Sequence, residues 1–82
     1  MTIDLIRVDL VNDNIEDVLG LYAPSTIIIN GTGVPATTIA WAVFTCVKNS
    51  TNYKIFVDGY DLTPDFKSLT EAIKGYYEEI YN

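Results

Sequence analysis

"ATTIAWAVFTCVK", residues 36–48, is the stretch on which the fold turns. As helix, it makes the chain βαβαβα, with the glycines just upstream opening a helix. As strand, it makes the chain β-α-β-β-β-α, with those glycines in a connector. Thr37, Thr38, Ile39, Trp41, Val43, Phe44, Thr45 and Val47 all prefer a pleated, half-buried surface. Of its interior residues only Ala40 and Ala42 favour helix, and Glu, Gln, Leu and Arg are absent. A surface helix also needs a polar stripe, which only threonines could supply here. Strand is the preferred reading, with "NSTN" at 49–52 closing a hairpin onto "YKIFV" at 53–57.

Immediately upstream, "IIINGTGVPATT" at 27–38 places Gly31, Gly33 and Ala36 in the spacing G-x-G-x-x-A, the alanine-ended dinucleotide fingerprint. In the helical alternative a pyrophosphate would sit at the helix N-terminus and Asp58 would serve the ribose. Asp58 follows Gly31 by 27 residues, against the usual spacing of about 20. A strand downstream removes that helix N-terminus, Pro35 removes one N–H donor, and no P-loop lysine is present. The loop is therefore expected to be a connector, with no cofactor bound. A small nucleotide-binding domain using Gly31-x-Gly33 is the alternative.

Around this stretch the other elements are easier to place. "TIDLIRVDLV" at 2–11 is expected to be a strand. Ile15, Val18, Leu19 and Tyr22 lie on one face of a short helix, capped by Asn12 or Asp13 and stopped by Pro24. "STIII" at 25–29 is a short buried strand, and "YKIFVDGYD" ends in a turn at Asp58-Gly59. Thr63 suits an N-cap and Pro64 the first helical position. Phe66, Leu69, Ile73, Tyr76 and Ile80 then form an amphipathic face. The expected fold is a single α+β domain over residues 1–82. It has a three- to four-stranded, mostly antiparallel sheet with the C-terminal helix packed on one face. Its expected core is Trp41, Val43, Ile55, Val57, Phe66, Leu69 and Ile73.

Composition narrows the function. Eleven acidic residues outnumber five basic ones, for a formal charge of −6. The scattered cations Arg7, Lys48, Lys54, Lys67 and Lys74 give no patch for nucleic acid or an anionic membrane. Pro24, Pro35, two glycines and Asn30 interrupt the charge-free run 23–47, which argues against a membrane span. Histidine is absent, which removes His-based proton transfer, Ser–His and Cys–His pairs, and His-containing zinc sites. The acidic stretches "NDNIED" and "DGYD" lack calcium-loop spacing, and helix caps and turns account for both. The lone Cys46 reads as a buried, unreactive thiol in a reducing, cytoplasmic setting. Neither catalysis nor a metal is expected.

One segment runs against helix physics. Glu78 and Glu79 fall in a last turn, where the dipole disfavours anions by about 0.3–1 kcal/mol each. Gly75 costs about another 1 kcal/mol relative to alanine. Tyrosines beside such carboxylates suit an interface, since each buries a large ring and keeps a polar tip. The expected protein interface is Asp58, Tyr60, Asp61, Glu71, Tyr77, Glu78, Glu79 and Tyr81, facing a basic partner. In size and charge the chain resembles small acidic inhibitors carried by phages and mobile elements, anti-CRISPR proteins and DNA mimics among them. That resemblance implies occupation of a basic, nucleic-acid-binding site on a host protein. A homo-oligomerising structural subunit, pairing through an edge strand, is a further alternative.

Overall fold

The computed structural model describes the backbone of residues 4–81 and the side chains of residues 4–72. The elements run β1 (Leu5–Asp9), α1 (Ile15–Tyr22), β2 (Thr26–Asn30), α2 (Ala36–Lys48), β3 (Asn52–Val57), β4 (Tyr60–Asp61) and α3 (Thr63–Tyr81). They make a small α+β fold with a four-stranded mixed sheet of order β1-β2-β3-β4 and three helices. β1 pairs with β2, and β2 with β3, in parallel; only β3 and β4 are antiparallel. This corrects the expected β-α-β-β-β-α order and the mostly antiparallel sheet. Residues 36–48 are helix throughout.

The physical reason lies in what that helix buries. Ile39, Ala42, Val43 and Cys46 stand at i, i+3, i+4 and i+7, and all are buried. Intrinsic helix preference separates ordinary residues by at most about 0.7 kcal/mol each. Burying one branched aliphatic side chain contributes about 1.5–3 kcal/mol. Packing a stripe on the sheet therefore outweighs β-branched propensity. A parallel β2–β3 pair also requires a crossover, which a hairpin cannot supply. Thr45, buried on the same helix, donates its hydroxyl to the Trp41 carbonyl at 3.0 Å. At the far end the Asn49 backbone N–H reaches the Thr45 carbonyl at 3.1 Å, and its side-chain amide the same oxygen at 2.8 Å. "NSTN" thus ends a helix and leads into β3; it closes no hairpin.

Local chemistry sets the remaining boundaries. Asn14, and neither Asn12 nor Asp13, caps α1: its Oδ1 accepts from the N–H of Glu16 at 2.9 Å and of Asp17 at 3.3 Å. Asp58 and Gly59 have φ of 51° and 82°, the pair of positive values that a two-residue type I′ hairpin turn demands. Asp61, in place of Thr63, caps α3 by accepting the Thr63 N–H at 2.9 Å. The freed Thr63 hydroxyl turns inward and accepts the Ile55 N–H at 2.9 Å. The Leu62 N–H reaches the Ile55 carbonyl at the same distance. Short as it is, β4 therefore passes into α3 with the outer rim of β3 covered at Ile55.

Val8, Ile27, Ile29 and Ile55 point from the sheet into the core, where Ile15, Leu19, Ile39, Ala42, Val43, Cys46 and Phe66 meet them. Of the expected core, Val43, Ile55 and Phe66 are buried and Val57 is half-buried. Trp41 and Leu69 are corrections, 67% and 44% exposed on the outward sides of their helices. The Ile73 side chain lies outside the described residues. Sequential strands joined by crossovers of one hand place α1 and α2 on the same face, and α3 packs beside α2 there. The opposite face of the sheet carries Leu5, Arg7, Ile28, Lys54 and Phe56, with no described helix over it.

Candidate functional site

Three parallel strands bring their C-terminal ends to one edge, and the glycine loop lies there. The Gly31 N–H donates to the Phe56 carbonyl at 2.8 Å, and the Leu10 N–H to the Asn30 carbonyl at 3.1 Å. The Thr32 N–H reaches Asn30 Oδ1 at 3.1 Å, while the Thr32 hydroxyl accepts the Asp58 N–H at 2.7 Å. These bonds lash the loops after β1, β2 and β3 together, and they use loop donors that a phosphate would need.

The two glycines answer to the fold. A Cβ on Gly31 would lie 2.6 Å from Ile39 Cδ1 and 3.3 Å from Val57 Cγ2, so its bare α-carbon lets α2 sit down on the sheet. Gly33 has φ +85°, a backbone conformation that glycine adopts without strain. Nucleotides in parallel α/β sheets bind where the strand order reverses and neighbouring loops diverge to opposite faces. The order β1-β2-β3-β4 has no such reversal. One feature matches the fingerprint: α2 opens directly behind the loop, with no side-chain cap and no acid in its first turn.

The edge is acidic. Asp9 ends β1, Asp13 follows it, Glu16 and Asp17 occupy the first turn of α1, and Asp58 follows β3. Five of the eleven acidic residues thus stand at the same end of the sheet. Asp9 and Asp13 are held in place: Asp13 Oδ2 accepts the Asp9 N–H, and Asp9 Oδ1 accepts the Val11 N–H, each at 3.0 Å. Beside them a shallow depression of about 250 Å³ is lined by Arg7, Val8, Asp9, Asp13, Ile28 and Asn30. Small-molecule pockets usually enclose about 300–1,000 Å³, and this one falls short. The Asp13 contact also blunts the β1 edge. Alternation along the strand leaves only Leu5 and Arg7 with outward backbone groups unclaimed within it, too little for strand addition.

The expected interface residues divide. Asp58, Tyr60 and Asp61 lie together on the β3–β4 hairpin, all exposed, Tyr60 at 74%. Glu71 is exposed on α3, apart from the hairpin in sequence. The Thr63 hydroxyl, then its backbone N–H, hold the Asp61 carboxyl below its ordinary value, and the Lys54 charge adds to them. Asp61 therefore has a capping task of its own. The helical backbone runs to Tyr81, so Glu78 and Glu79 do fall in the last turn. The side chains of Tyr77, Glu78, Glu79 and Tyr81 lie outside the described residues. "NDNIED" read as caps alone, because its convergence with Asp58 becomes visible only once β1 and β3 are known to run parallel.

Burial pushes the Cys46 thiol up to about 11. Among the described residues no buried side-chain nitrogen or oxygen lacks a hydrogen-bond partner, and no group of three or more His, Cys, Asp or Glu could hold a metal. No described helix is long and apolar enough to cross a membrane. The chain matches no family model, no curated protein and no solved structure.

Proposed function

We propose that this chain is a small acidic, non-catalytic interaction protein whose carboxylate-lined strand edge docks on a basic protein surface. The observation that carries the proposal is the gathering of Asp9, Asp13, Glu16, Asp17 and Asp58 at one end of the sheet. Like charges fixed on a rigid edge sum to a field that draws in a cationic partner and speeds encounter. Asp58 joins this edge to the hairpin patch of Tyr60 and Asp61. The analogy of size and charge with phage-borne inhibitors and DNA mimics extends the proposal to a cytoplasmic partner whose basic surface otherwise holds nucleic acid. Affinity capture from host extract tests it, using the native chain and the triple variant Glu16→Gln, Asp17→Asn, Asp58→Asn. The native chain should retain a partner that elutes with salt, and the neutralised chain should lose it. Capture that ignores both salt and the triple variant sinks the proposal.

A second reading, nucleotide binding at the Gly31–Gly33 loop, is favoured only by the uncapped start of α2. The spent loop donors, the surrounding carboxylates and the absence of a strand reversal weigh against it.

A further inference from the structure

Parallel sheets are almost always covered on both faces, yet the described helices cover only one face here. Alternation along each strand places the opposite face in three rows. Leu5, Thr26 and Asn52 stand across the first row; Arg7, Ile28 and Lys54 across the second; Asp9, Asn30, Phe56 and Asp61 across the third. Leu5 is 49% exposed, and Ile28 and Phe56 are half-buried. The charges on this face are two cations in one row and two carboxylates in the next. Its own balance is zero, so the net charge of −6 is carried elsewhere on the chain.

We infer that this face docks on the same face of a second copy of the chain, as a weak two-fold dimer. A half-turn about an axis lying across the strands, midway between the second and third rows, superposes each row on the other. Arg7 then faces Asp9 of its copy, Asp9 faces Arg7, and Ile28 meets Asn30. Lys54 comes over the ring of Phe56, a cation–π arrangement. A two-fold interface requires a surface that complements itself, and these alternating rows do so. A uniformly acidic partner would be repelled by Asp9 and Asp61, and a uniformly basic one by Arg7 and Lys54. The blunted β1 edge disfavours strand pairing between copies on that side. Strands spaced ~4.8 Å with a rise of ~3.3 Å per residue give the face an area on the order of 300 Å². Stable interfaces bury about 800 Å² per partner, so the dimer is reversible and depends on concentration.

Sedimentation equilibrium from micromolar to millimolar protein, with backbone amide shifts followed on dilution, tests this. The native chain should dimerise, and the shifts that move should map to β1, β2 and β3. Arg7→Glu and Lys54→Glu should each weaken dimerisation by about tenfold or more, with the far-UV circular dichroism of the fold retained. Asp9→Asn, which keeps an acceptor for the Val11 N–H, should weaken it less. Lys48→Glu changes the net charge equally but lies at the end of α2, off this face, and should leave dimerisation unaltered. A native chain that stays monomeric at millimolar concentration overturns the inference. So does a dimer indifferent to Arg7→Glu and Lys54→Glu, or one weakened equally by Lys48→Glu.

Discussion

Replacing Gly31 with alanine separates a packing role for the glycine loop from a ligand-binding one. The new methyl would stand 2.6 Å from Ile39 Cδ1 and 2.9 Å from Cγ1. Carbon atoms rest at about 3.5–4.0 Å, so the nearer contact is about 1 Å too close. Ile39 is 3% exposed, and a β-branched residue on a helix has essentially one χ1 well. It can yield only by shifting α2 or leaving its rotamer. Overpacking of this kind costs about 1–3 kcal/mol. Ile39→Val alone should cost about 0.5–1.5 kcal/mol, and it removes the very Cδ1 that collides. Urea unfolding followed by circular dichroism should therefore show the double variant more stable than the two single losses added together, by about 1 kcal/mol. If Gly31→Ala is neutral, or if the two losses simply add, Gly31 is not there to seat α2.

Cys46 should resist thiol reagents in the folded protein and react on denaturation. Its unfolded thiol ionises near 9 and its folded one near 11, so the unfolded state alone loses the proton in between. Stability should hold below that window and fall through it, a decline that Cys46→Ala lessens; burial also pushes the Tyr53 phenol up, so part of the decline remains. Trp41 is the sole tryptophan, so native fluorescence should report a water-exposed, readily quenched indole; Trp41→Gln should change stability by less than about 1 kcal/mol. Calorimetric titration with NAD, ATP and GTP should give no heat of binding; a saturable signal lost in a folded Gly33→Val variant would reinstate the nucleotide reading. With the partner of the acidic surface in hand, Glu78→Lys with Glu79→Lys should weaken binding by about 2 kcal/mol if that pair is desolvated, while stability holds or rises. Unchanged affinity would confine the contact to the strand edge.

Most elements were legible in the sequence because their signals are local. Asp58-Gly59 announces its turn through backbone preference, and Pro24 and Pro64 punctuate helices wherever they stand. The run 36–48 misled because Trp41, Phe44 and Val47 add apolar residues to the outward side, hiding the helical stripe of Ile39, Ala42, Val43 and Cys46. Its β-branched composition pointed the same wrong way, and the cause that prevails is the shared burial of α2 on β2 and β3. Trp41 was placed in the core beside Val43 in a run read as strand, whereas α2 turns that position outward. The acidic edge was legible only as two separate clusters, since its unity depends on the direction of the strands.

The strand order has a consequence for how the chain acquires its shape. Each strand is laid beside the one made just before it, so no segment waits for a distant partner. During synthesis β2 emerges with its apolar Ile27–Ile29 run open on one side until α2 and β3 arrive. That interval is the exposed moment of the pathway, when such a rim invites pairing with another nascent chain. Ile55, fully buried between β2 and the Thr63 hydroxyl, is the residue whose arrival closes it. Truncating Ile55 should therefore slow refolding in stopped-flow measurements, whereas truncating Phe66 on the last helix should mainly hasten unfolding.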